Sequence, residues 1–147
     1  MADPFNLQRF IEAQEAVYPA VRAELAAGRK TSHWMWFIFP QLAGLGRSST
    51  ARFFALSGLA EAAAYLAHPI LGQRLLDCTL IVNRLQLNGR GAGDAHDIFG
   101  SPDDLKFHSS MTLFAQVAPP DSPFAQALAL YFGGVADQAT TRLLAAS

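Results

Sequence analysis

The chain reads as all-α: a compact single-domain bundle of several helices, residues 1–147, around a central buried helix at about residues 69–87. Three observations predict this. Proline follows a plausible cap at Asp3-Pro4, His68-Pro69, Ser101-Pro102 and Ser122-Pro123, and it suits a first helical position because its missing N–H would be unpaired there anyway. Apolar residues recur at helical spacing, with no regular alternation over five or more residues. The length of 147 residues is that of one domain, enough to bury roughly two-thirds of the surface its unfolded chain exposes.

The elements run in order along the chain. From about Pro4, residues Leu7, Phe10, Ile11 and Gln14 share one face, which Val17, Tyr18 and Val21 continue. Pro19 interrupts that pattern and predicts a kink or restart; the resumed helix closes at Gly28, a left-handed C-cap. Residues 33–39 are short and aromatic, strand or buried helix by composition, and Pro40 ends them. Ser48 or Ser49 can cap a short helix carrying Phe53 and Phe54, and Ser57 another through Leu66. Residues 69–87 are apolar around most of the helical circumference, which places that helix in the core. Residues 88–93 read as a flexible glycine-rich loop. A helical turn at 94–99 ends at Gly100, and a helix at 102–116 opens on Asp103 and Asp104, well placed against the helix dipole. A helix at 123–132 stops at Gly133-Gly134, and Asp137 caps the last.

Composition narrows the function. Hydrophobic residues make up 51% against 16% charged, and eleven phenylalanines predict a core of large side chains. A net charge of −1 and a pI near 6.4 argue against a protein built to neutralise nucleic-acid phosphates. No run reaches the ~18 apolar residues of a membrane helix, and MADPFNLQRF lacks a basic region followed by an apolar one. Cys78 cannot form an internal disulfide alone and reads as a buried, inert thiol; a cytoplasmic setting is expected. His33, His68, His96 and His108 never fall two to a helical turn, so no metal site is expected, and no cofactor motif is present. A Gly-x-Ser-x-Gly elbow and a paired-carboxylate site are missing too.

The unusual chemistry lies in residues 28–50, GRKTSHWMWFIFPQLAGLGRSST. Arg29-Lys30 leads into Thr31, Ser32 and His33, followed by both tryptophans of the protein, Trp34 and Trp36. After Pro40-Gln41 comes a loop with Gly44, Gly46 and Ser48, whose backbone N–H groups and hydroxyls can face an anion, although an ordinary capped loop explains them equally. Arg29 and Lys30 suit an anion pocket or the last carbonyls of a helix. His33 is the proton-transfer candidate, against the bland alternative of a satisfied histidine beside an apolar run. A second polar cluster, Asp103, Asp104, Lys106, His108, Ser109 and Ser110, leads into Met111 and Phe114, so its face is expected to turn inward. A buried polar group without a partner costs roughly 1–3 kcal/mol, so two such clusters entering one core are expected to meet each other or a shared ligand.

The segments DPFNLQRFIEAQ, SHWMWFIFPQL, AYLAHPILGQRL, IFGSPDDLKFHSSMTLF and YFGG occur in that order. In this the chain resembles the bacterial family called domain of unknown function 1810, some of whose members are labelled calpastatin. The resemblance implies a small, mostly helical cytoplasmic protein and no stated activity. The calpastatin label does not fit, because that inhibitor is a disordered polar chain. A more distant similarity is to the NADAR group, which hydrolyses N-glycosidic linkages of ADP-ribose-type ligands. Ser32-His33 stands where that group has Ser-Glu, and Phe99-Gly100 where it has Trp-Gly.

Two functions are therefore expected as rivals. One is a pocket for a phosphorylated or nucleotide-like small molecule, extending to hydrolysis of an ADP-ribose-type ligand. Arg29 and Lys30 would hold charge, Trp34 or Trp36 stack, His33 move the proton, and Lys106 with Ser109 or Ser110 close the far side. The other is a non-enzymatic helical interaction module whose polar clusters only cap helices. Oligomeric state is not legible.

Overall fold

The structure is a computed structural model and describes residues 3–87 and 94–146; the glycine-rich loop at 88–93 lies outside these. Among the described residues there are ten helices and no strand, only an isolated parallel bridge between Leu42 and Leu56. The helices are α1 Gln8–Glu15, α2 Tyr18–Ala26, α3 Met35–Ile38, α4 Ser49–Phe53 and α5 Leu59–Ala67. They continue as α6 Leu71–Leu87, α7 Ala95–Phe99, α8 Asp103–Ala115, α9 Pro123–Phe132 and α10 Gln138–Ala146.

Capping chemistry sets most of the boundaries. Ser48 Oγ accepts from Ala51 N at 3.0 Å, Ser122 Oγ from Ala125 N at 3.3 Å and Asp137 Oδ2 from Thr140 N at 3.0 Å. Asp94 and Asp97 form a reciprocal capping box at α7. At α1 the order differs from the expected start at Pro4. Asp3 does accept from Leu7 N and Gln8 N, but Asn6 takes a left-handed φ of 53°, so the helix cannot begin before it. At α5 the expected direction is reversed: Glu61 reaches back to accept from Ser57 N at 2.8 Å and Ser57 Oγ at 2.9 Å. Pro19 restarts the helix as α2, and residues 33–39 resolve as the single turn α3.

The 17-residue α6 is the long core helix, packed against α2, α5 and α9. Its buried face runs Leu71, Leu75, Cys78, Val82 and Leu85, and burial pushes the Cys78 thiol up to about 12. Helix α8 shares the centre: every residue from Ser109 to Phe114 is buried, between α5, α7, α9 and α10. Aromatic side chains join the layers. Phe39, just after α3, meets Phe99 of α7 and Phe107 of α8 edge-on at 5.9 and 5.1 Å. Phe99 and Phe107 stack at 4.6 Å. Each such buried ring contributes roughly 1.5–3 kcal/mol, which fixes the 28–40 segment against α7 and α8.

Candidate functional site

Gly28 ends α2 in the left-handed region at φ 79°, which turns the chain back on itself. The return brings residues 31–34 over Glu24, one turn before the helix end. The Glu24 carboxylate accepts from Thr31 N at 2.7 Å, Ser32 N at 3.0 Å and Trp34 Nε1 at 3.0 Å, and from Ser32 Oγ. Burial alone would raise its pKa, but the bonds from Ser32, Thr31 and Trp34 together bring it down to about 2 from the ordinary 4.5. Glu24→Gln places an amide NH2 among these donors and is expected to cost about 2 kcal/mol at neutral pH. Because the folded pKa is depressed, the carboxylate's contribution is complete above pH 4.5 and lost as pH falls toward 2. Urea titrations at both ends of that window should show the wild-type advantage over Glu24→Gln shrinking; a constant gap would refute the assignment.

The two polar segments meet. Lys30 N donates to Ile98 O of α7 at 2.7 Å. Lys30 Nζ lies 2.8 Å from Asp103 Oδ2, donates to Ser32 O and sits 5.0 Å from the Trp34 ring centre. Lys106 Nζ lies 3.5 Å from Asp103 Oδ1 and 5.0 Å from the Trp36 ring centre. One carboxylate thus bridges two lysines, each over a tryptophan. The Lys30 side chain is only 6% exposed, so its ammonium belongs to this internal pin between the loop and α8.

The remaining residues singled out in the sequence are placed differently. His33 is exposed, with no hydrogen bond or ion pair among the described residues. Ser109 Oγ lies 3.1 Å from both Leu105 O and Asp137 Oδ2, acceptors for its single proton, and joins α8 to the start of α10. Ser110 is fully buried, and its Oγ has no partner among the described residues. Gln41 O accepts from Leu56 N at 3.0 Å, and Ser48 is occupied as the cap of the five-residue α4. A Cβ on Gly46 would stand 2.5 Å from Ala51 Cβ, so this glycine permits close packing; Gly44, at φ 100°, turns the chain beside Leu143. The contacts of this loop lead to α4, to Leu56 beyond it and to α10.

An open cleft does adjoin the pin. It measures about 400 Å³ and is lined by Arg29, Lys30 and residues 96–100 of α7 and its end. Arg29 is exposed, and its guanidinium has no ion pair or hydrogen bond among the described residues. His96 Nδ1 lies 3.6 Å from Asp104 Oδ2, and Asp97 Oδ2 accepts from Asp94 N at 3.3 Å. Glu24, His96 and Asp97 were not selected from the sequence. Glu24 has a signal: a glycine C-cap four residues downstream folds the next residues back over the last helical turn. His96 and Asp97 have none, because only packing of α7 against the 28–30 turn makes them neighbours of Arg29.

No group of three or more His, Cys, Asp or Glu residues suited to a metal is gathered among the described residues. No helix there is long and apolar enough to cross a membrane. Among curated proteins none matches the chain. A solved structure, the conserved hypothetical protein Rv1873 from Mycobacterium tuberculosis, is 52% identical with a TM-score of 0.92, over 99% of this chain and 100% of that one. The family model described as "Protein of unknown function (DUF1810)" matches residues 4–144. Neither match carries the more distant NADAR similarity. The chain therefore belongs to the DUF1810 family.

Proposed function

We propose that the Arg29 cleft binds a small phosphorylated or nucleotide-like molecule, in a cytoplasmic protein. The supporting observation is a guanidinium without a partner among the described residues at a cleft of about 400 Å³, within the roughly 300–1,000 Å³ of small-molecule sites. A guanidinium can grip phosphate through two parallel hydrogen bonds. Lys30 acts here by holding the loop; Trp36, half-buried under Lys106, does not line the cleft.

Extended to hydrolysis of an ADP-ribose-type ligand, the reading moves acid–base work from His33 to His96, which lines the cleft with Asp97 beside it. Thermal shift against inorganic phosphate, nucleotides and ADP-ribose tests the binding. At ~100 times Kd a ligand stabilises by about 2.7 kcal/mol, or roughly 5–10 °C in a domain of this size. Arg29→Ala should abolish that shift with Tm otherwise unchanged, since the side chain is exposed. Release of free adenine from ADP-ribose, water adding at the anomeric carbon as the N-glycosidic bond breaks and the base leaving with a proton, would extend binding to catalysis if it disappears in His96→Ala. A panel with no shift would leave the pin as a structural device and favour the interaction-module reading.

A further inference from the structure

The N-terminal turn and the α5–α6 corner line a second, open cleft, of about 520 Å³. Its walls are mainly apolar, with Phe5, Leu7, Ile11 and Ala64 among them, and Asp3, Gln8 and His68 supply the polar groups. His68 is the informative one. Ile70 N and Leu71 N both donate to its Nδ1, at 3.1 and 3.3 Å, so Nδ1 is the acceptor and the ring proton sits on Nε2. That Nε2–H has no hydrogen-bond partner among the described residues. The Asp3 carboxylate accepts from Leu7 N and Gln8 N at 2.8 and 3.0 Å, and its charge at the cleft opposes an anionic ligand.

We propose that this cleft is a binding site for a neutral, mostly apolar small molecule whose carbonyl or hydroxyl oxygen accepts the His68 Nε2–H bond. Its chemistry is opposite to that of the Arg29 cleft, and the two share no lining residue. The shape fits a general pattern for small-ligand sites, an apolar cavity in which one fixed polar group sets orientation.

Benzamide and its anionic isostere benzoate test it, added to the full-length ¹⁵N-labelled protein. Benzamide should move the amide resonances of Leu7, Ile11, Ala64 and His68 saturably, and benzoate should bind roughly tenfold more weakly or not at all. His68→Ser keeps a cap for α6 but removes the ring donor, and should weaken benzamide about tenfold. Ala64→Phe should fill the cleft and abolish binding. If that variant loses its native spectrum, His68→Ser and the benzoate comparison decide alone. The proposal is overturned by no saturable change with benzamide, by changes mapping elsewhere, by benzoate binding as tightly, or by unchanged affinity in His68→Ser.

Discussion

Gly72→Ala is expected to cost about 3 kcal/mol, at the upper end of overpacking penalties, although glycine to alanine inside a helix ordinarily stabilises by about 1 kcal/mol. The sign reverses because of the α5–α6 corner. A Cβ on Gly72 would stand 2.0 Å from Leu66 O and 2.9 Å from Leu66 C, and backbone atoms cannot swing aside as a side-chain tip does. Either the corner opens, losing contacts between two core helices, or the first turn of α6 unwinds. Urea denaturation should show the midpoint falling, with Tm lower by roughly 6–12 °C. Gly58→Ala is the control: its φ of 170° is ordinary extended backbone, and an added Cβ meets nothing within 4 Å, so a change within about 0.5 kcal/mol is expected. Equal stability of Gly72→Ala and wild type would mean that the corner is looser than the close approach implies.

Glu61→Ala should be of similar or larger effect, about 3–5 kcal/mol, because it leaves a buried cation without its counter-charge. Arg9 and Glu61 have side chains only 10% and 4% exposed, with Arg9 Nη2 3.0 Å from Glu61 Oε2. Every Arg9 nitrogen is engaged. Nε donates to Phe53 O at 2.8 Å, Nη1 to Phe5 O at 2.6 Å and Asn6 O at 2.8 Å, and Nη2 to Ala55 O at 3.0 Å. The other Glu61 oxygen holds Ser57. The pair thus ties α1 to the α4–α5 connection, and removing the glutamate strands both Arg9 and the Ser57 N–H. Arg9→Met with Glu61→Leu removes both charges and should recover much of the loss, so a double-mutant cycle separates the coupling from lost packing. A Glu61→Ala cost below about 1 kcal/mol would show that water reaches the guanidinium.

Local chemistry made much of this fold readable in advance. A proline after a cap, a glycine where φ must turn positive and an apolar stripe at helical spacing each act within a few residues. Hence the break at Pro19, the stops at Gly28 and Gly133, and the caps Ser122 and Asp137 could be placed from the chain alone, and the α4 cap narrowed to Ser48 or Ser49. The failures were local too. Asn6 in the left-handed region delayed α1, and Ser57 looked like a donor-satisfying cap where Glu61 performs that role.

The candidate site divides differently. That residues 28–41 and 103–110 would enter the core carrying polar groups was determined by the sequence, through hydroxyls and charges set directly against aromatic runs. Which of those groups meet was decided only by the tertiary structure. Lys30 and Lys106 share Asp103, Ser109 turns to Asp137, and His33 stays exposed, leaving Arg29 at the cleft as an exposed cation with no partner among the described residues. The physical reason is that a charge is satisfied by any opposite charge or dipole within a few ångströms, and sequence spacing does not rank candidates many positions apart. Helix packing ranks them: once Phe39 docks on Phe99 and Phe107, the 28–34 turn can reach only what α7 and the first turn of α8 present.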